Sequence, residues 1–148
     1  MSKGINRNRK RKEIMENEFL PYEQALALKE LGFDKPCLKV GNPNGHTMWK
    51  WIEVDGEPPT VNINDVIQVH YDENWAQIPT FSQAFRWFRE KYGLDSFVKH
   101  LYKSTIKVGY YFGIDEYKGI EFQSEIFSTP EEAELTCLVK LIEIAKVK

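Results

Sequence analysis

A chain of 148 residues, of which 42% are hydrophobic and 14% aromatic, has the size and apolar content of one folded domain. These fractions exclude a wholly disordered chain, because disorder requires low hydrophobicity and a high net charge. No apolar run approaches the ~18 residues of a transmembrane helix, and no apolar segment follows the basic N-terminus. The sequence therefore predicts a cytoplasmic protein with no secretory signal and no membrane contact.

The formal net charge of −2 conceals an uneven distribution along the chain. Residues 1–12 carry six of the 20 basic residues and no acidic residue, so that residues 13–148 have a net charge of −8. A body with this charge is expected to bind phosphate backbones poorly, which restricts any expected nucleic-acid binding to residues 1–12. We predict a disordered basic tail over residues 1–17 and a single folded domain over residues 18–148.

The first half of the chain predicts one helix followed by three strands. The helix is expected over residues 22–31, after Pro21 and before Gly32, since proline is favoured at helix starts and glycine at helix ends. Alternating apolar residues between Gly, Pro and Asn clusters predict strands at residues 36–40, 47–54 and 61–71.

The region between residues 41 and 79 contains three of the four tryptophans, Trp49, Trp51 and Trp75. It is rich in turn-forming residues and is the least regular part of the sequence. Irregular aromatic loops on a rigid scaffold are frequent binding sites, so these three residues are candidate binding residues.

The clearest helix is predicted between Pro79 and Gly93, with Thr80 or Ser82 as its cap. Residues at the helical period define one apolar stripe, which is expected to pack in the core: Phe81, Ala84, Phe85, Phe88 and Tyr92. Trp87 lies about 100° from the centre of this stripe. Two interpretations follow for Trp87: burial in the core, or an exposed anchor, with the adjacent Arg86, for a partner or a second copy of the chain.

The last part of the chain predicts a hairpin and a helix. Residues 106–116 and 120–127 alternate in polarity and predict two antiparallel strands. The helix is expected over residues 130–146, because a hydroxyl cap, a proline and two glutamates begin it. Its buried face is expected to consist of Ala133, Cys137, Leu138, Leu141, Ile142, Ile144 and Ala145. The predicted fold is α+β, with three helices on one mainly antiparallel sheet in the order α-β-β-β-α-β-β-α.

The sequence contains no recognisable catalytic, cofactor or metal motif. His46, His70 and His100 lack metal-ligand spacing, and the two cysteines, Cys37 and Cys137, do not form a CxxC pair. The turn at residues 41–45 lacks the GK[ST] signature and the helix of a phosphate-binding loop. This absence of motifs predicts a protein that is not an enzyme and binds no cofactor or metal.

Three blocks of the sequence resemble a family of small uncharacterised proteins from phages and prophages of Bacteroidetes. The blocks are LPYEQALALKELGFDKPC (20–37), PTFSQAFRWFREKYGL (79–94) and STPEEAELTCLVKLIEI (128–144). The basic tail and the tryptophan-rich segment 47–54 lie outside this pattern. The resemblance implies a phage or mobile-element origin and an accessory role in the cytoplasm of the host bacterium, and it implies no site residue.

Three hypotheses of function follow, each from a different class. The leading hypothesis is a non-enzymatic accessory protein that binds a host macromolecule, for example a host protein active in defence. The second is a small-ligand binding or sponge protein, in which Trp49, Trp51 and Trp75 stack on a nucleotide base. The third is nucleic-acid binding through the basic residues 1–12. A homo-oligomer that associates through Trp87 remains an open alternative.

Overall fold

The computed structural model describes residues 17–49, 74–116 and 121–148. Its contacts group the chain into two compact units, with the boundary between Thr80 and Phe81. The single domain predicted over residues 18–148 spans this boundary and stays a prediction. Each unit is described below by itself. The predicted tail lies outside the described residues apart from Asn17, and the predicted strand 61–71 lies outside them entirely.

The first unit consists of one helix and a three-stranded sheet. Its elements are α1 (Tyr22–Glu30), β1 (Lys39–Gly41), β2 (Thr47–Trp49) and β3 (Ala76–Ile78). The strands are antiparallel in the order β2-β1-β3, and α1 packs against β3. The core of this unit is formed mainly by Ala25, Leu28, Phe33, Cys37, Val40, Ala76 and Ile78, all buried.

The second unit consists of two helices and a second three-stranded sheet. Its elements are α2 (Phe81–Tyr92), β4 (Leu94–Lys103), β5 (Ile106–Glu116), β6 (Glu121–Gln123) and α3 (Pro130–Lys146). The strands are antiparallel in the order β4-β5-β6, and both helices pack against the sheet and against each other. Its core includes Ala84, Phe88, Leu94, Phe112, Ile114, Leu138 and Leu141, all buried.

The ends of the helices are where the sequence predicts them. The backbone φ angles of Gly32 and Gly93, +89° and +66°, are left-handed and favour glycine, so both residues end a helix as expected. At the start of α3, the Thr129 hydroxyl accepts a hydrogen bond of 3.2 Å from the backbone N–H of Glu132. The predicted face of α3 is also confirmed except at Ile144, which is only partly buried.

The predicted fold class is confirmed, but the strands differ from the prediction in two ways. The structure contains two antiparallel sheets rather than one, and β3 and β4 are strands that the sequence analysis did not predict. β4 was missed because its apolar residues occur on both faces, which removes the alternation that marks a strand. In the structure β5 pairs along its length with β4. The strand predicted to pair with β5, residues 120–127, contributes only the short β6 and a bridge at Phe127.

The buried face of α2 is rotated relative to the predicted stripe. Ala84, Trp87 and Phe88 are buried. Three residues that were expected in the core, Phe81, Phe85 and Tyr92, are only partly buried. Burying the large indole ring removes more apolar surface from water than burying a phenyl ring, which favours the rotation. Among the described residues, no helix is both long enough and apolar enough to cross a lipid bilayer.

Candidate functional site: the β4–β5 hairpin

The turn end of the β4–β5 hairpin is its most exposed part. Every residue from Tyr102 to Val108 is exposed, and these residues form the ends of both strands and the two-residue turn between them. Tyr102 is 55% exposed, Ile106 71% and Val108 44%, which are high values for large apolar side chains. Exposed apolar surface that is contiguous with charged residues is typical of an interaction site.

A shift in strand register sets which side chains share a face of this hairpin end. Leu101 lies opposite Gly109, but Tyr102 lies opposite Lys107, so that Val108 is an extra residue in β5. Such a bulge reverses the alternation of side chains beyond it. It therefore places Lys107 on the same face as Tyr110, although an unbroken strand would place residues three apart on opposite faces.

Four side chains assemble on that face, which we call the hairpin cluster: His100, Tyr102, Lys107 and Tyr110. The His100 ring centre lies 4.7 Å from that of Tyr110 and 6.0 Å from that of Tyr102. The ammonium group of Lys107 lies 4.3 Å from the centre of the Tyr110 ring and donates a hydrogen bond to its hydroxyl. The cluster thus combines three adjacent aromatic rings with one cation.

The opposite face of the hairpin has a similar composition. The rings of Phe97 and Tyr111 pack edge to face with their centres 6.1 Å apart, and the Lys99 ammonium group lies 4.3 Å from the Phe97 ring centre. Lys103 is on this face by alternation and is exposed. The two faces together surround the hairpin end with three lysines and five aromatic or imidazole rings.

The charge of this segment differs from that of the rest of the chain. Between Ser96 and Ile114 the sequence contains three lysines and no Asp or Glu, in a chain whose net charge is −2. Within the described parts of the chain, Lys99, Lys103 and Lys107 form no ion pair with a carboxylate. The carboxylates of these parts therefore leave the charge of the three lysines available to an anionic partner.

A groove, the second candidate site, lies between β6 and α3. It encloses about 260 Å³ and is lined by Phe112, Phe122, Gln123, Ser124, Glu125, Phe127, Thr136, Val139, Lys140 and Glu143. Three phenyl rings form its apolar part, with the Phe112 ring centre 5.8 Å from that of Phe122 and 6.0 Å from that of Phe127. The Lys140 ammonium group lies 5.2 Å from the Phe122 ring centre and pairs with Glu143 at 3.2 Å. This groove is smaller than the roughly 300–1,000 Å³ of typical small-molecule sites.

The three tryptophans predicted as binding residues differ in their structural surroundings. Trp75 is partly buried, and its carbonyl accepts a hydrogen bond of 3.0 Å from Lys29. The backbone of Trp49 pairs with Lys39 in the first sheet, whereas Trp51 lies outside the described residues.

The other two candidates, Arg86 and Trp87, lie on α2. Arg86 is exposed, and Trp87 is only 3% exposed. The Trp87 ring packs edge to face on Phe88 and Tyr92, with centres 5.1 and 5.5 Å apart.

Neither cysteine has the surroundings of a reactive thiol. Both are buried thiols outside any disulfide, and burial raises the pKa of Cys137 to about 12, against the smaller opposing effect of a hydrogen bond with the Ser96 side chain. A thiol with this pKa is protonated and unreactive at neutral pH. No cluster of three or more His, Cys, Asp or Glu side chains suited to a metal ion occurs among residues 17–49, 74–116 and 121–148.

Comparison of the chain with models of known protein families, with curated proteins and with solved structures finds no match. The net charge of residues 13–148, taken as one sum, does not reveal the basic character of the hairpin. The signal that identifies it is local: a stretch of 17 residues, 97–113, that has three lysines, six aromatic or histidine side chains and no acidic residue.

Proposed function

We propose that this protein is a non-enzymatic accessory protein that binds an acidic macromolecule of its host through the β4–β5 hairpin. The observation that carries the proposal is the placement of Lys99, Lys103 and Lys107 around the rings of the hairpin, without an ion pair to any carboxylate of the described residues. The resemblance of three sequence blocks to phage proteins of Bacteroidetes supports a partner in the host bacterium.

The exposed residues of the hairpin end support a binding role rather than a purely structural one. Tyr102, Ile106 and Val108 contribute little to a core while they remain exposed to water. Covering them with a partner removes apolar surface from water, and the neighbouring lysines then favour a partner of opposite charge. Both effects act at the same place on the surface.

Capture from a host lysate tests this proposal. The full chain is immobilised, and the retained protein and nucleic acid are identified and quantified for the parent and for a triple variant, Lys99→Gln with Lys103→Gln and Lys107→Gln. We expect the parent to retain an acidic macromolecule that the triple variant loses. A control triple, Lys35→Gln with Lys146→Gln and Lys148→Gln, removes three positive charges outside the hairpin and the groove and should retain the macromolecule. Equal retention by all three proteins, or no retention by the parent, would contradict the proposal.

A second candidate function, binding of a small planar ligand, is favoured by the groove between β6 and α3. Its three phenyl rings can contact a flat ring, and Lys140 and Glu143 supply charged groups at its rim. Its volume of about 260 Å³ suits a single ring better than a whole nucleotide. A thermal-shift panel of bases, nucleosides and nucleotides tests this candidate, because a ligand at 100 times its Kd should add about 2.7 kcal/mol of stability. A panel without any shift would exclude these ligands.

A further inference from the structure

We infer that the hairpin binds single-stranded nucleic acid without sequence preference, an inference that rests on the proposed function and names the chemical class of its partner. The hairpin cluster supplies aromatic surface for unpaired bases, and the lysines around it supply positive charge for phosphates. The hairpin is separate in sequence from the basic residues 1–12, where the charge distribution of the sequence predicts contact with nucleic acid.

The aromatic rings of the cluster are placed to stack on bases. Tyr102 is 55% exposed at the end of the cluster, and His100 connects it to Tyr110 through ring contacts of 6.0 and 4.7 Å. Bases of every type present a flat π surface, so stacking on such rings provides affinity with little sequence preference. Bases in a duplex are already stacked on each other and do not offer these faces, which favours a single strand.

The lysines are placed to contact a phosphate backbone. A two-stranded ribbon is thin, so Lys99 and Lys103 on one face and Lys107 on the other lie around the same hairpin end. Electrostatic interactions extend over a Debye length of about 8 Å at physiological ionic strength, and lysine side chains are long enough to reach around a ribbon edge. Lysine binds phosphate as a point charge, which requires no fixed geometry of the bound strand.

The composition of the hairpin argues against duplex DNA and against an acidic protein as the preferred partner. Base edges in the major groove are contacted mainly by Arg or Lys at guanine and by Asn or Gln at adenine, and of these four residue types residues 97–111 contain only lysine. Carboxylate groups of a protein are best recognised by arginine, whose planar group forms paired hydrogen bonds. A partner whose anionic groups are phosphates and whose other groups are exposed rings matches lysines interspersed with aromatic rings.

Fluorescence anisotropy of the full chain with a labelled 15-nucleotide oligothymidine tests the inference. The logarithm of the binding constant falls with the logarithm of the salt concentration by about 0.7 for each phosphate neutralised in a single strand. We therefore expect the triple variant of Lys99, Lys103 and Lys107 to bind more weakly than the parent and with a slope shallower by about 2. Any contribution of residues 1–12 is common to both proteins and does not affect this difference.

A second variant separates stacking from charge. Tyr102→Ala should weaken binding roughly 5- to 150-fold while it leaves the salt slope unchanged, and Tyr102→Trp should retain the affinity of the parent. Tyr102 is exposed, so equal melting temperatures of these variants and the parent are expected and are checked by circular dichroism. The control triple Lys35→Gln, Lys146→Gln and Lys148→Gln should keep the slope of the parent.

Three results would overturn the inference. The first is an identical salt dependence of binding for the parent and the hairpin triple variant, which would assign all phosphate contacts to basic residues outside the hairpin. The second is equal affinity for a duplex of the same length together with no effect of Tyr102→Ala. The third is the absence of oligothymidine binding by the parent: if the hairpin triple variant nevertheless loses an acidic protein from the lysate, the inference fails while the proposed function stands.

Discussion

The ammonium group of Lys107 lies 4.3 Å from the ring centre of Tyr110 and hydrogen-bonds to the hydroxyl of the same residue. The extra residue Val108 makes this contact possible, because it shifts the register of β5 against β4. A bulge near the end of a hairpin is a common way to re-aim a side chain. Here it adds a cation to a face that already has three rings.

The contact between Lys107 and Tyr110 is expected to contribute little to folding. An exposed cation–π contact stabilises by about 0.5–1 kcal/mol, so Lys107→Gln should lower the free energy of unfolding by no more than about 1 kcal/mol. Urea denaturation of the parent and the variant measures this difference. A loss of more than about 2 kcal/mol would mean that Lys107 holds the hairpin together rather than serving an external partner.

Two glycines of β5 provide a matched test of the packing on this strand. A Cβ atom at Gly109 would lie 2.6 Å from the carbonyl oxygen of Phe127, and one at Gly113 would lie 2.2 Å from the end of the Phe97 ring. The Phe127 carbonyl is fixed by a hydrogen bond of 2.9 Å from the Tyr110 backbone N–H, whereas the partly exposed Phe97 ring can rotate away.

We therefore expect Gly109→Ala to destabilise the protein by about 1–3 kcal/mol and Gly113→Ala to destabilise it less. Thermal melting of both variants compares the two effects. The reverse order would show that the Phe97 ring is held more rigidly than the backbone at Phe127.

The rotated face of α2 is tested by two substitutions on the same helix. Trp87 is 3% exposed and Phe85 is only partly buried, so Trp87→Ala should cost about 3–5 kcal/mol and Phe85→Ala about 1–2 kcal/mol. Guanidinium denaturation gives both values, and light scattering gives the mass in solution. A Trp87→Ala variant that melts like the parent but loses mass by dissociation would instead support the interface interpretation of Trp87.

The buried thiol of Cys137 predicts a specific loss of stability at alkaline pH. Burial raises its pKa from 9.0 to about 12, so the unfolded chain releases this proton first as the pH rises. Stability is therefore lost between about pH 9 and pH 12, at up to about 1.4 kcal/mol per pH unit. Between pH 8 and pH 10, the free energy of unfolding of the parent should fall by about 1 kcal/mol more than that of Cys137→Ala, as measured by denaturant titration. Parallel curves for the two proteins would contradict the assignment of a raised pKa.

The parts of the fold that local signals determine could be predicted from the sequence. The ends of α1 and α2 follow from Gly32 and Gly93, and the start of α3 follows from Thr129 and Pro130, because caps and turns act over three or four residues. The buried face of α2 could not be predicted in this way. Phe85 and Trp87 are both aromatic, and only the packing of the helix against other elements decides which of them is buried.

The candidate site could not be predicted from the sequence either, because it depends on contacts between residues that are distant along the chain. β4 carries apolar residues on both faces, so its pairing with β5 became evident only in three dimensions. The shift at Val108 is a property of two strands together, and without it Lys107 would not lie beside Tyr110. The absence of acidic residues between Ser96 and Ile114 was visible in the sequence, but its meaning required the hairpin.

The most direct test of the central claim is to locate the binding surface by NMR. The full chain, labelled with ¹⁵N, is titrated with unlabelled oligothymidine, and the amide signals that shift are assigned to residues. We expect the largest shifts between Lys99 and Tyr110, and we expect them to disappear in the triple variant of Lys99, Lys103 and Lys107. Shifts confined to residues 1–12, or to the groove residues around Phe122, would contradict the assignment of the hairpin as the binding site.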